Sequence, residues 1–143
     1  MAWGLEGRQL SVGWALALCQ HVGFRGKNLT NAVALMTAES GRYTRAWHEN
    51  LITTNGGPSY VDSVDHGLFQ INDKWHPDLE NANDPVSNAS YAFDMSSGGE
   101  HFGAWAAYDS GAYKKYVPVV WAIRHLTLWR GKVHRVAKGE LSS

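Results

Sequence analysis

Apolar residues recur at helical spacing in several stretches of the chain, and residues that start or stop helices bound each stretch. Trp14, Leu16, Leu18 and Val22 follow Ser11, a good N-cap, and precede Gly23 and Gly26, so a first helix is predicted there. Thr30 is the predicted cap of a second helix through Val33, Leu35 and Met36, which Gly41 ends, so that Glu39 falls in its last turn. Asp84 followed by Pro85 supplies a cap and a proline at the first helical position, opening a helix through Ala89, Ala92, Phe93 and Met95 that stops near Gly98 and Gly99. A short helix around Phe102 to Ala107 and another from Val119 to Trp129, after Pro118, complete the helical set. Residues 53–66 break this rhythm: Asn55, Gly56, Gly57 and Pro58 mark a turn, and Tyr60, Val61 and Val64 suit a short hairpin. The predicted class is mainly α (α+β), with one small β hairpin.

No internal repeat or low-complexity linker divides the 143 residues, so residues 1–143 are expected to form one domain. Thirteen Lys and Arg balance thirteen Asp and Glu, which makes a poor general nucleic-acid binder. The balance is uneven along the chain. Residues 1–120 carry eight basic and twelve acidic residues, whereas 121–143 form a basic C-terminal segment with five basic residues and Glu140 alone. Such a tail suits either a solvated helix end or docking to an anionic polymer. The longest apolar runs, Trp14 to Cys19 and Val117 to Ile123, fall far short of the roughly 18 residues of a membrane span, so no span is expected. Trp3, Gly4, Glu6 and Arg8 near the start do not read as a secretory signal.

Candidate chemistry narrows the picture further. Seven Trp, six Tyr and four Phe exceed what a small core needs, so some are expected to line a cleft for a flat-faced ligand such as a sugar. The histidines are dispersed without a His-Glu-x-x-His pair, so no metal site is expected. Cys19, the single cysteine, sits among Ala15, Leu16, Ala17 and Leu18 and reads as buried filler rather than an amidase nucleophile. Asn28-Leu29-Thr30 and Asn88-Ala89-Ser90 match the glycosylation pattern but mean little without a secretory signal. Glu39 differs from these. A carboxylate at a helix C-terminus, in a turn that also carries Leu35 and Met36, meets both an unfavourable dipole and desolvation, and such a group can stay protonated near neutrality. A general acid needs that property. Downstream, Asp65-His66-Gly67-Leu68-Phe69-Gln70-Ile71-Asn72 places an acid, a glycine and two amides around an apolar triplet; with Leu68 and Ile71 inward, Gln70 and Asn72 are available to a sugar.

Glu39-Ser40-Gly41, then Gly67-Leu68-Phe69-Gln70-Ile71-Asn72, then Trp105-Ala106-Ala107-Tyr108-Asp109-Ser110-Gly111 together resemble the lysozyme-like superfamily, which includes soluble lytic transglycosylases and phage muramidases. The resemblance covers roughly residues 30–116, and the order and spacing of the strings carry it, since none is diagnostic alone. It implies a two-lobed domain with a cleft between the lobes, acting on the glycan strands of bacterial peptidoglycan. By this resemblance Glu39 matches the catalytic acid, Gln70 a sugar-contacting glutamine, and Tyr108 the tyrosine of a Tyr-Asn-x-Gly motif near the acid, while Asp109 stands where Asn is usual. Asp65 matches the second carboxylate of the animal-type lysozymes, although their cysteines are absent and the 26-residue separation from Glu39 is longer.

Two outcomes stay open, hydrolysis assisted by Asp65 or attack by the sugar itself to leave a 1,6-anhydro end, and the position of Asp65 favours hydrolysis. A glycan-binding or scaffolding module without turnover is the non-enzyme alternative. Ser40, Asn72 and Trp47 complete the expected substrate-binding set, Asp62 and Asp73 read as solvated loop acids, and Trp105, Trp121 and Trp129 read as packing residues. No metal or organic cofactor is required by this scheme, a monomer is expected, and the resemblance suggests a phage lysin or virion-associated enzyme.

Overall fold

A computed structural model describes residues 2–141. The described elements run β1 (Trp3–Gly4), α1 (Val12–Val22), α2 (Gly26–Ser40), β2 (Trp47–Thr53), β3 (Ser59–His66), β4 (Ile71–Asn72), α3 (Pro85–Met95), α4 (Ala106–Asp109), a 3-10 turn (Ala112–Tyr116), α5 (Val117–Leu126) and α6 (Arg130–Ala137). Helices α1 and α2 form the centre. Ser11 caps α1 by accepting a hydrogen bond from the Trp14 amide, and Gly23 closes it. Ala15 to Cys19 are all fully buried, because α6, α2 and α3 pack around α1. Cys19 is accordingly inert: burial pushes its thiol far above the ordinary range.

Helix α2 begins four residues before the predicted cap. Arg25 is the N-cap residue, and Thr30 lies inside the helix, buried, where its hydroxyl accepts a hydrogen bond from Arg124 at 3.0 Å. The tertiary partner explains the displacement, since Arg124 also donates to the Gly26 carbonyl and so anchors the first turn without a side-chain cap. The helix ends as the sequence indicates, at Gly41 in the left-handed region with φ 62°. Asp84 and Pro85 likewise open α3.

The β structure is larger than one hairpin. Four antiparallel strands lie in the order β1-β2-β3-β4. The predicted turn joins β2 to β3, but β2 reaches back to Trp47, β1 adds Trp3 opposite His48, and β4 adds Asn72 opposite Asp65. Strands of two residues carry too little alternation to show in a sequence, and pairing with a longer neighbour fixes them. The predicted helix from Val119 to Trp129 is in fact two helices, α5 and α6, broken at Thr127 with φ 64°. Turning there buries Trp129, whose indole N–H donates to the Arg124 carbonyl at 2.9 Å, and lays α6 on α1. Trp121 is correspondingly not a packing residue, being 54% exposed. The helix expected around Phe102 to Ala107 is displaced: it starts only at Ala106 and runs to Asp109 as α4.

Candidate active site

The segment after β3 turns sharply and is held from behind. Gly67 adopts φ 75°, and a Cβ there would lie 2.4 Å from both the Ala82 carbonyl oxygen and the Asn88 side-chain amide, so only glycine fits. Asn88, fully buried on α3, accepts a hydrogen bond from the Phe69 amide at 2.8 Å and donates to the carbonyls of His66 and Ala82, each at 2.9 Å. This buried side chain fixes the turn and is closed to glycan attachment. Asn28 also has its amide engaged, with the Gly98 carbonyl and Glu100. Leu68, Phe69 and Ile71 point into the core, and Phe69 joins Phe24, Phe102 and Trp105 in an aromatic cluster with ring centroids 5.7–6.3 Å apart. Trp105 donates its indole N–H to the Phe69 carbonyl at 2.7 Å, which ties the turn to the start of α4.

Two cavities adjoin along this turn, and Glu39, Asp65 and Gln70 line both. One, of about 280 Å³, is bounded by Trp3, Leu5, Trp47 and His48. The other, of about 590 Å³, runs past Asn72, Trp75, His76, Met95 and Trp105. The groove therefore has the sheet on one side and α2, α3 and α4 on the other, with the two carboxyl groups at its middle.

Glu39 comes from the last turn of α2 and Asp65 from β3. Burial raises the Glu39 pKa, and repulsion from Asp65 raises it further, to about 7. Among the described residues no cation forms an ion pair with Glu39 to reverse this. Asp65 is held differently. One oxygen accepts a hydrogen bond from Asn72 at 2.9 Å, and the other lies 3.8 Å from His48 Nδ1, the two neighbours sitting opposite Asp65 on β4 and β2. One member of the pair is thus poised to keep a proton, while the other is fixed by its neighbours in the sheet.

Several expected sugar contacts have other work. Asn72 donates to Asp65 and to Ser63, and its oxygen accepts from the Lys74 and Trp75 amides, so its hydrogen-bonding capacity goes to orienting Asp65. Gln70, at φ 50°, donates both amide hydrogens to the Ala46 and Gly67 carbonyls, which leaves only its side-chain oxygen, an acceptor, for a ligand. Ser40 is buried and cannot meet substrate: its hydroxyl donates to the Met36 carbonyl and accepts from the Arg42 amide. Tyr108 lies outside both cavities, packed between Phe102 and Tyr113 at ring distances of 5.6 and 4.8 Å. Its stacking on Tyr113 removes it from the cleft where it was expected. Trp47 does line the groove, with its indole N–H donating to Glu6 at 2.6 Å.

Of the weaker acids, Asp62 lines the larger cavity paired with Lys74 at 2.9 Å. Asp73 stands opposite His66 at 3.1 Å; burial works to raise its pKa, but the Val64 amide and His66 outweigh burial and hold it low. Sequence reasoning passed over Trp3 and Trp75, both widely exposed on the groove, and His48 beside Asp65. An isolated exposed aromatic carries no periodic signal; only its place on a cleft distinguishes it.

Residues 16–107 match the family model described as a lysozyme-like domain, and the match takes in both carboxylates, the glycine turn and Asn88. The chain belongs to the lysozyme-like domain family. No curated protein and no solved structure matches it. The six helices and four-stranded antiparallel sheet among the described residues are consistent with that family's fold. Among the described residues no helix is long and apolar enough to cross a membrane, and no group of three His, Cys, Asp or Glu residues is placed to hold a metal ion.

Proposed function

We propose that this lysozyme-like domain hydrolyses the β-1,4 bond between N-acetylmuramic acid and N-acetylglucosamine in bacterial peptidoglycan. The observation that carries the reading is a half-buried carboxyl group with its pKa raised to about 7, sharing one groove with a second carboxylate. Glycosidases generally need this division between a protonated acid and an ionised partner. Glu39 gives its proton to the glycosidic oxygen, and the bond breaks with its electron pair passing to that oxygen. Positive charge grows on the anomeric carbon and ring oxygen, where Asp65, oriented by Asn72, stabilises it. Water then adds at the anomeric carbon and its surplus proton returns to Glu39. Trp3 and Trp47 on one side of the pair and Trp75 on the other offer apolar faces to sugar rings, and the Gln70 oxygen accepts from a hydroxyl or an N-acetyl amide.

Turbidity loss of a bacterial cell-wall suspension tests the reading. Glu39→Gln is expected to lower the rate by a factor on the order of 10²–10⁴, the usual contribution of a general acid. Equal lysis by both proteins would reject Glu39 as the acid. Lysis by neither would leave the cleft as a glycan-binding surface. Mass analysis of the released fragments then decides the second step. Hydrolysis leaves reducing ends, whereas release of 1,6-anhydro ends alone would mean that the sugar's own hydroxyl, and not water, attacks.

A further inference from the structure

The solvent side of α5 is apolar except for His125, whose ring lies against that of Trp121. Pro118, Val119, Trp121, Ala122, His125 and Leu126 are exposed, and Leu128 in the next turn is 85% exposed. The opposite side, with Val120, Ile123 and Arg124, packs toward the core. A surface helix ordinarily turns its charged side outward, yet the exposed arc of α5 has no Lys, Arg, Asp or Glu. The surrounding charge is mainly positive: residues 110–139 hold seven Lys and Arg and no Asp or Glu, and Glu140, just beyond, pairs with Arg135. Lys114, Lys115, Arg130, Arg135 and Lys138 among them are exposed. Lys115 and Val119 also line one groove of about 370 Å³ with Val12, Arg42 and Tyr116, so cation and apolar surface meet there.

Cations alone would suit any polyanion, and apolar side chains alone any protein surface. An apolar arc with a tryptophan, bordered by cations and free of acids, matches the boundary of an anionic bilayer, where rings and aliphatic chains enter the acyl region and cations stay with the phosphates. We propose that the α5–α6 segment docks on an anionic phospholipid surface through Trp121, Leu126 and Leu128, with the flanking Lys and Arg against the headgroups. The segment lies on the surface and does not span it. Arg124 joins the C-terminal end of α5 to the first turn of α2, and none of Trp121, Leu126 and Leu128 lines either cavity beside Glu39, so docking through them leaves the carboxylate groove open.

Co-sedimentation of the full chain with vesicles tests the proposal, using phosphatidylglycerol mixed equally with phosphatidylcholine, and phosphatidylcholine alone. Binding is expected to the first and not the second. Leu126→Ser and Leu128→Ser should each weaken it roughly tenfold by removing apolar surface, and Lys115→Gln and Arg130→Gln each about fivefold. None of the four positions lines the two carboxylate cavities, so the rate on purified cell walls should not change. The proposal falls if the anionic vesicles leave the protein in the supernatant. It falls equally if the leucine variants bind as tightly as the parent, or if soluble polyphosphate binds with the same dependence, because either outcome marks plain charge attraction. A concentration-dependent dimer in sedimentation velocity, abolished by the leucine changes, would assign the face to a second copy of the chain and also overturn it.

Discussion

Replacing Glu39 by Gln should remove activity and yet stabilise the protein at alkaline pH, by an amount set by the site's own electrostatics. Glu39 has a pKa of about 7 in the fold against an ordinary 4.5. A raised carboxyl pKa contributes to stability in full below about pH 4.5, where both states are protonated, and that contribution is lost as pH rises through 7. Above that pH the folded protein carries a charge disfavoured by burial and by Asp65, while the unfolded chain ionises freely. At about 1.4 kcal/mol per tenfold change in acidity, the displacement would amount to about 3.5 kcal/mol unscreened, and solvent screening of the half-buried side chain brings it to about 3 kcal/mol or less.

Gln is neutral throughout and has nearly the shape of protonated Glu. Urea or thermal unfolding of both proteins at pH 4 and pH 8 should therefore show little difference in the gap at the acid end that charge could cause. At the alkaline end the gap should widen in favour of Glu39→Gln by up to about 3 kcal/mol, a Tm advantage on the order of 10 °C. A gap that is the same at both pH values would mean that Glu39 ionises in the fold as easily as in the unfolded chain, and the argument for a retained proton would fail.

Three further outcomes follow from the same geometry. Asp65→Asn removes the repulsion that forms the lesser part of the Glu39 displacement, so besides slowing turnover it should move the alkaline limb of the pH–rate profile to lower pH; an unmoved limb would separate the two groups electrostatically. Gly67→Ala should cost at least about 2 kcal/mol in urea unfolding, since its Cβ would strike backbone and the buried Asn88 at positive φ, and an unchanged midpoint would show that the turn yields freely. Trp75→Ala should raise KM for glycan fragments severalfold with a smaller change in kcat, and an unchanged KM would remove Trp75 from sugar binding.

Signals that act within a few residues are legible in the amino-acid order alone. Ser11, Asp84 with Pro85, and Gly41 set the ends of α1, α3 and α2, because a cap satisfies backbone groups of its own helix. The end of α2 in turn placed Glu39, and Leu68 and Ile71 pack inward with Phe69, although no local periodicity demands it. Partnership between distant segments has no such local mark. The sheet sets His48 and Asn72 beside Asp65, and folding of β3 toward α2 supplies the repulsion on Glu39 that no local pattern contains.

The amides show the same division at a single atom. The local string marks Gln70 and Asn72 as available polar groups, and the family resemblance implies a sugar contact at Gln70, but only the positions of surrounding carbonyls and amides show that Asn72 is fully engaged and that Gln70 keeps one oxygen free. The break at Thr127 and the outward face of Trp121 were settled in the same way. Burying Trp129 against the body of the protein outweighs continuation of one helix, since removal of a large aromatic surface from water is worth more than a turn of helical hydrogen bonds at an exposed end. Local signals set where the proton donor stands along the chain; packing between distant segments determined what faces it.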